Sequence, residues 1–485
     1  MIKVKDDISR RRSFGEHLTS VDIFKEFIFP QIKDKIYDYC WVDLFCGEGN
    51  LILPILNEIK PDKREEFFKE HIYLFDVQEQ MVKKSILNAI KLGISRKIAT
   101  KNIKQRDTLL RGYPECLKKQ SRPVFHITNP PYLYLGYIVK HRKEDTGKQY
   151  TYFEKEENKG LQDLYQIALM NDLRQDIKDL IYVLPSNLLF SASGANKIRQ
   201  SLFPFYSIKE AFIFEKKIFD FTGTNVCICH FERKKCPANE PITFEAMKFN
   251  KIEHKRKYIL KPEGNFRAGG EFTDFVNKYR CDKPLKISYY LMSEAVKNNV
   301  GNHSVSVIDT NNYSGNKYQV INISVNNELY EKIIHNPLFI RTVDTGTMEG
   351  RAGLFYIRNI YSTDGALVSG NPYRTNPIQV FIEPFLNKND TELLLKYFNC
   401  ILEYFREITD GEFLTTYKYS ESCPYIRKYL GLSQTKKIIE TFPINKLDDI
   451  GRGEFERVVL SNSGEEIINV LDKLKSKSNN FLEAQ

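Results

Sequence analysis

The sequence predicts an α/β fold, a mostly parallel sheet covered by helices on both faces, followed by a second domain of α+β character. Three observations lead there. Short apolar strands alternate with helical stretches from Ser20 to Phe231. Strands in this region run straight into a glycine turn, an acidic residue or a proline pair, at the carboxyl ends where open α/β sheets bind ligands. Near Pro237–Pro241 the alternation stops, and Lys, Asn and short Tyr-rich pieces take over.

Taken in order, Ser20–Ile32 carries apolar residues at helical spacing. Trp41–Phe45 is an apolar strand, followed by a glycine turn and an apolar helix over Asn50–Ile59. His71–Phe75 is a second strand ending in Asp76, and Glu79–Leu92 is the helix after it. A third short segment leads to Asp107, and the strand Val124–Thr128 runs into Asn129-Pro130-Pro131-Tyr132. Leu133–Gly160 is polar, charged and rich in Tyr, and reads as one long loop. Leu161–Leu173 reads as a helix, Leu180–Leu184 as a strand, Ala195–Leu202 as a helix, and Ile208–Phe214 and Val226–Phe231 as strands. Further on, a helix is expected over Asp390–Phe405 and another near the C-terminus. The boundary is set between about Lys235 and Asn250, which divides the chain into residues 1–240 and 241–485.

The 485 residues carry 42% hydrophobic and 13% aromatic side chains, which excludes a disordered chain. The net charge of +10 suits a phosphate-bearing partner. Nine cysteines are scattered without CxxC spacing, so neither a zinc site nor a disulfide framework is expected, and no metal. Reduced thiols point to the cytoplasm. The charged N-terminal stretch has no apolar h-region, and no run is long enough to span a membrane.

Four stretches carry chemistry. Asp43-Leu44-Phe45-Cys46-Gly47-Glu48-Gly49 follows a strand and opens a helix, and its glycines permit a tight turn and close approach to a ligand. Asp76, with Val77 after it, ends the next strand, where a carboxylate accepts from both ribose hydroxyls of a nucleoside cofactor; Asp is equally favoured there as a helix N-cap. Asp107 can accept from an adenine amino group, or cap a helix. Asn129-Pro130-Pro131-Tyr132 is the sharpest signal: the prolines stiffen the backbone, the Asn129 side chain and Pro130 carbonyl can accept from an amino group, and Tyr132 offers a ring to a base.

On these motifs the chain resembles the gamma-class amino methyltransferases, the adenine-N6 DNA methyltransferases of restriction–modification systems. Phe14-Gly15-Glu16-His17-Leu18-Thr19-Ser20 resembles the family's N-terminal cofactor motif, which usually has Thr-Pro where this chain has Thr19-Ser20. Val183–Asn187 and Gly194–Arg199 resemble later structural motifs, and Phe219–Val226 the motif that offers an aromatic ring to an extruded base. The likeness covers roughly residues 11 to 232 and no motif of the C-terminal half.

The resemblance implies a Rossmann-like S-adenosylmethionine methyltransferase sheet with a C-terminal α+β target-recognition domain. It implies S-adenosylmethionine held by Thr19, Asp43, Phe45, Gly47, Gly49, Asp76, Val77, Asp107 and Asn129. Double-stranded DNA is the implied substrate, with a flipped adenine stacked by Tyr132 and by either Phe219 or Phe221. A monomer is expected, with a separate cognate restriction endonuclease as its partner. Gly346–Gly353, Asn371–Pro377, Thr416–Tyr419 and Tyr425–Tyr429 are turn-rich or basic-aromatic stretches suited to DNA, as base readers or phosphate contacts. Rival readings are an amino methyltransferase acting on ribosomal RNA or protein glutamine, and a DNA-binding scaffold without activity. The early glycine turn and the large following domain favour DNA, and the intact chemical positions favour an enzyme.

Overall fold

A computed structural model describes residues 19–141, 147–191, 193–215, 225–249, 253–314, 317–344, 351–371, 376–409, 413, 430–444 and 449–482. These fall into two compact units, one of residues up to Ala268 and one from Gly269 onward.

The first unit is built on a nine-stranded sheet of order β3-β2-β1-β4-β5-β7-β6-β8-β9. Its strands are β1 Cys40–Asp43, β2 Ile72–Asp76, β3 Ile103–Gln105, β4 Val124–Thr128, β5 Asp179–Pro185, β6 Tyr206–Phe214, β7 Val226–Arg233, β8 Ile242–Phe249 and β9 Glu253–Leu260. The first five pair in parallel, and β7 runs antiparallel to both β5 and β6. All four residues of β1 and all seven of β5 are buried, as expected of strands covered on both faces. The chain moves outward from β1 to β2 and β3, then returns to β4 on the other side of β1. That reversal opens a crevice at the carboxyl ends of β1 and β4.

The helix Glu79–Lys91 lays Met81, Val82, Ser85 and Ala89 against the core, one face of a 3.6-residue period. Asn50–Ile59 is not the expected α-helix but a series of turns and a 3₁₀ helix, Leu53–Glu58. Pro54 explains the difference, because its ring collides with the carbonyl four residues back and it has no N–H to give. Leu133–Gly160 is not one loop: it holds the helices Leu135–Lys140 and Gly147–Glu154 and a 3₁₀ turn, Glu156–Asn158. Those helices span little more than two turns at most and bury few apolar residues, so their periodicity is too brief to register. The first unit extends beyond the expected boundary at residue 240. β8 pairs in parallel with β6, and its Ile242, Phe244 and Ala246 are buried between exposed Thr243 and Glu245.

The second unit holds two four-stranded sheets. One has the order β10-β17-β14-β15, from Lys286–Tyr289, Ile378–Glu383, Leu338–Arg341 and Gly353–Tyr356. The other has the order β11-β16-β12-β13, from Leu291–Met292, Ala366–Ser369, Val300–Ser314 and Lys317–Val325. The 21-residue helix Lys388–Ile408 buries Leu394, Tyr397, Phe398, Ile401 and Phe405 in the core of this unit. No helix among the described residues is long and apolar enough to cross a membrane.

Candidate active site

Four strand ends in the first unit converge on one crevice, and each carries a polar group. At the end of β1, Asp43 is 1% exposed. Its Oδ1 accepts from the Phe45 N–H at 2.9 Å and from the Thr128 hydroxyl at the end of β4. Burial pushes the Asp43 carboxyl up to about 7, against the pull of the Thr128 hydroxyl, His126 and the Phe45 N–H. The turn after Asp43 uses Gly47 at φ +52° and Gly49 at φ +84°. A Cβ on Gly49 would lie 2.6 Å from Leu53 Cδ1 and 2.9 Å from Ser85 Oγ, so the position needs glycine on both counts.

Asp76, at the end of β2, ties that turn in place. Its Oδ2 accepts from the Gly47 N–H at 2.9 Å and its Oδ1 from the Gln78 N–H at 2.8 Å. Asp107, beyond β3, caps the short helix Thr108–Arg111, with Oδ1 accepting from Leu110 N–H at 3.0 Å. Its Oδ2 accepts from the Tyr152 hydroxyl at 2.8 Å. One carboxylate thus takes a helix-cap donor and a tyrosine hydroxyl from 45 residues along the chain.

Asn129 follows β4 directly. Its Nδ2 donates to Thr19 Oγ1 at 2.9 Å, and its Oδ1 meets the Tyr132 hydroxyl. The same hydroxyl lies 2.7 Å from the Val183 carbonyl, and its single proton is shared between these two acceptors. Tyr132 is 8% exposed, with Tyr165 edge-on at 6.4 Å, so the surface it offers to a base is small. Pro130 is buried and Pro131 half-buried. Phe219 and Phe221 lie outside the described residues, as do most of Gly346–Gly353, the middle of Asn371–Pro377, and Thr416–Tyr419 and Tyr425–Tyr429.

Two neighbouring cavities share Phe45, Gly47 and Asn129. The larger, about 810 Å³ including its open mouth, is lined by Asp76, Val77, Met81, Asp107, Pro131 and Tyr152 among others. The smaller, about 280 Å³, adds Thr19, Asp43, Cys46, Glu48, Asn50 and Leu51. Together they bring to one crevice Thr19, Asp43, Phe45, Gly47, Asp76, Val77, Asp107, Asn129 and Pro131 of the residues predicted from sequence. Gly49 and Tyr132 support the crevice from its turn and its motif loop, while Pro130 lines neither cavity. Among the described residues no group of three or more His, Cys, Asp or Glu could hold a metal ion.

Sequence reasoning passed over a second layer beneath this crevice. His126 in β4 and Asp172 in the helix Leu164–Arg174 are fully buried, with His126 Nδ1 2.6 Å from Asp172 Oδ2. His126 Nε2 accepts from the Leu44 N–H at 3.2 Å, which assigns the proton to Nδ1, where it is donated to Asp172. The Tyr182 hydroxyl donates to the same carboxylate oxygen. This network joins the β1 turn, β4 and β5, and so holds the crevice floor in register. Asp163 does the same for the segment after Tyr132: its Oδ1 accepts from Leu133 N–H at 2.9 Å. Burial pushes the Asp163 carboxyl up to about 7, while the Leu133, Leu164 and Tyr165 N–H groups oppose the rise. The signal for the layer was a lone His within the apolar strand Val124–Thr128, since a buried imidazole requires a partner.

A profile of the N-6 DNA methylase family matches residues 11–321. No curated protein matches the chain significantly. Among solved structures, DrdV in a cryo-EM complex with DNA shares 14% identity over 53% of this chain and 31% of its own, with a TM-score of 0.36. A type I restriction-modification methyltransferase subunit from Streptococcus thermophilus shares 14% over 54% and 58%, with a TM-score of 0.35. The type IIL restriction-modification enzyme MmeI, in complex with DNA, shares 12% over 96% and 76%, with a TM-score of 0.48. The chain thus spans less than two thirds of the length of the first two.

Proposed function

The chain belongs to the N-6 DNA methylase family, and on that footing we propose that it transfers a methyl group from S-adenosylmethionine to N6 of an adenine in double-stranded DNA. The observation that carries the proposal is the position of Asn129, a wall of both cavities, at the carboxyl end of β4. The residues present fit the cofactor. Asp76 and Asp107 are two carboxylates in a cavity with Val77, Met81 and Leu109 as apolar walls, which suits an adenosine. The smaller cavity, with Asp43 and Thr19, suits an amino acid moiety. Bound there, S-adenosylmethionine supplies an activated methyl on a sulfonium.

This chain's own residues then have to position an amine that is a poor nucleophile, because its lone pair is delocalised into the ring. Asn129 Oδ1 and the Pro130 carbonyl accept its N–H groups, which makes the nitrogen more tetrahedral and stabilises growing positive charge. Thr19 and Tyr132 hold the Asn129 amide from either side. The base is extruded from the duplex to reach the crevice, and Phe219 or Phe221 stacks on it alongside Tyr132. The second unit reads the target sequence. The enzyme is the modification activity of a restriction–modification system, acts as a monomer in the cytoplasm, and a separate endonuclease is its cognate partner.

Labelled S-adenosylmethionine incubated with the chain and unmethylated duplex DNA is expected to put label into the DNA. Label in ribosomal RNA or protein glutamine instead would replace the substrate, and cofactor binding with no transfer would favour an inactive scaffold.

A further inference from the structure

Tyr152 has no part in the transfer proposed above, yet it closes one wall of the larger cavity. It sits on the helix Gly147–Glu154, within the stretch that reads as loop from sequence. The side chain is 6% exposed, and its hydroxyl donates to Asp107 Oδ2 at 2.8 Å. Since Asp107 Oδ1 accepts from Leu110 N–H, both oxygens of this carboxylate are held, one locally and one from 45 residues along the chain. Two more bonds secure the contact: Asn158 Nδ2 donates to the Tyr152 carbonyl and Lys155 Nζ to the Leu110 carbonyl, each at 2.7 Å. Burial raises the phenol well above its ordinary range, so it remains a donor at any working pH.

A carboxylate oxygen has two lone pairs, and each Asp107 oxygen gives one of them to these protein donors. The direction of the other lone pairs is set by the carboxylate rotamer. We propose that Tyr152 is a positioning residue for cofactor binding: its hydroxyl fixes Asp107 so that the remaining lone pairs face the cavity and accept from an adenine amino group. Without the hydroxyl, Asp107 keeps its helix cap but gains rotational freedom and a water on Oδ2. This inference rests on the cofactor reading of the cavity, and it adds a residue that no part of the glycine-turn or Asn-Pro-Pro-Tyr motifs contains.

The test is calorimetric titration of the full chain with S-adenosylhomocysteine, for wild type, Tyr152→Phe, Asp107→Ala and the double variant, with melting temperatures alongside. Tyr152→Phe is expected to bind about five- to tenfold more weakly, while remaining fully folded at the temperature of the titration. In the Asp107→Ala background the same substitution should have no further effect. Equal binding by wild type and Tyr152→Phe overturns the inference and leaves the enzyme reading standing. An equal loss in both backgrounds also overturns it, since packing alone then explains Tyr152. No binding by wild type overturns the cofactor reading itself. Should Tyr152→Phe fold poorly, Asp107→Asn provides the second arm. It retains a cap acceptor, and binding at wild-type strength would overturn the inference.

Discussion

Asn129 donates its side-chain amide to the hydroxyl of Thr19 at 2.9 Å, joining two residues 110 positions apart. With Nδ2 directed to Thr19, Oδ1 is turned the other way, toward Tyr132 and the crevice. Thr19→Val removes that acceptor while keeping the shape. The rate of methyl transfer is expected to fall about tenfold, the worth of one hydrogen bond held in the transition state. Thr19→Ser, which keeps the hydroxyl, should stay within about threefold of wild type. Single-turnover rates at saturating cofactor check both.

The glycine turn gives a stability prediction. Gly49→Ala places a Cβ 2.6 Å from Leu53 Cδ1 at φ +84°, so it combines a clash with a left-handed backbone. A loss of about 2 kcal/mol or more is expected, seen as a melting temperature lower by several degrees. Cofactor binding should weaken with it, because the turn carries Gly47 and its contact to Asp76.

Asp163 makes stability depend on pH. Its carboxyl is pushed up to about 7 in the folded chain, against about 3.9 in the unfolded one. A carboxyl raised on folding contributes stability that is complete below the unfolded value and is lost as pH rises through about 7. Asp163→Asn cannot ionise and can still accept from Leu133 N–H. Urea midpoints at about pH 5 and pH 8 should therefore differ less in the variant than in wild type. An equal difference in both would sink the assignment.

Asp43 has a carboxyl raised to about 7 in the same way, but it faces the smaller cavity. A ligand ammonium seated there favours the carboxylate and draws its pKa down. Cofactor binding near neutral pH is expected to release protons, measured as a binding enthalpy that varies with the ionisation enthalpy of the buffer. Asp43→Asn should abolish that dependence, and a buffer-independent enthalpy in wild type would contradict it.

The second unit has its own test. Arg406 and Asp344 are both fully buried, 3.6 Å apart, and Arg406 also reaches the Ala352 carbonyl at 2.9 Å and Glu403. Arg406→Met leaves Asp344 buried without that guanidinium, which costs about 3 to 5 kcal/mol. Specific DNA binding is expected to be lost while S-adenosylhomocysteine binding by the first unit is retained. Loss of both together would show that the two activities do not divide between the units as proposed.

Much of the first unit is legible from sequence because its physics is local. β1, β2, β4 and β5 are short apolar runs, and the residues that end them, Asp43, Asp76 and Asn129, reach one crevice because parallel strands put their carboxyl ends on one side. What stays hidden depends on partners distant in the chain. His126 reads as an ordinary strand residue until Asp172 is brought beneath it, and Tyr152 as a loop tyrosine until its helix reaches Asp107. β8 and β9 are missed because their polar alternation resembles the sheets that follow. Only pairing with β6 assigns them to the first unit. Asp107 is legible as a helix cap, but the hydroxyl of Tyr152 on its other oxygen comes from 45 residues along the chain and leaves no local signal.

The most direct measurement is the identity of the methylated nucleoside. Wild type and Asn129→Ala would be incubated with labelled S-adenosylmethionine and unmethylated genomic DNA, and the digested nucleosides resolved by mass spectrometry. The account predicts label in N6-methyladenine alone, lowered at least about a hundredfold in the variant, with cofactor affinity changed far less. Label in a cytosine, or N6-methyladenine formed equally by the variant, would contradict it.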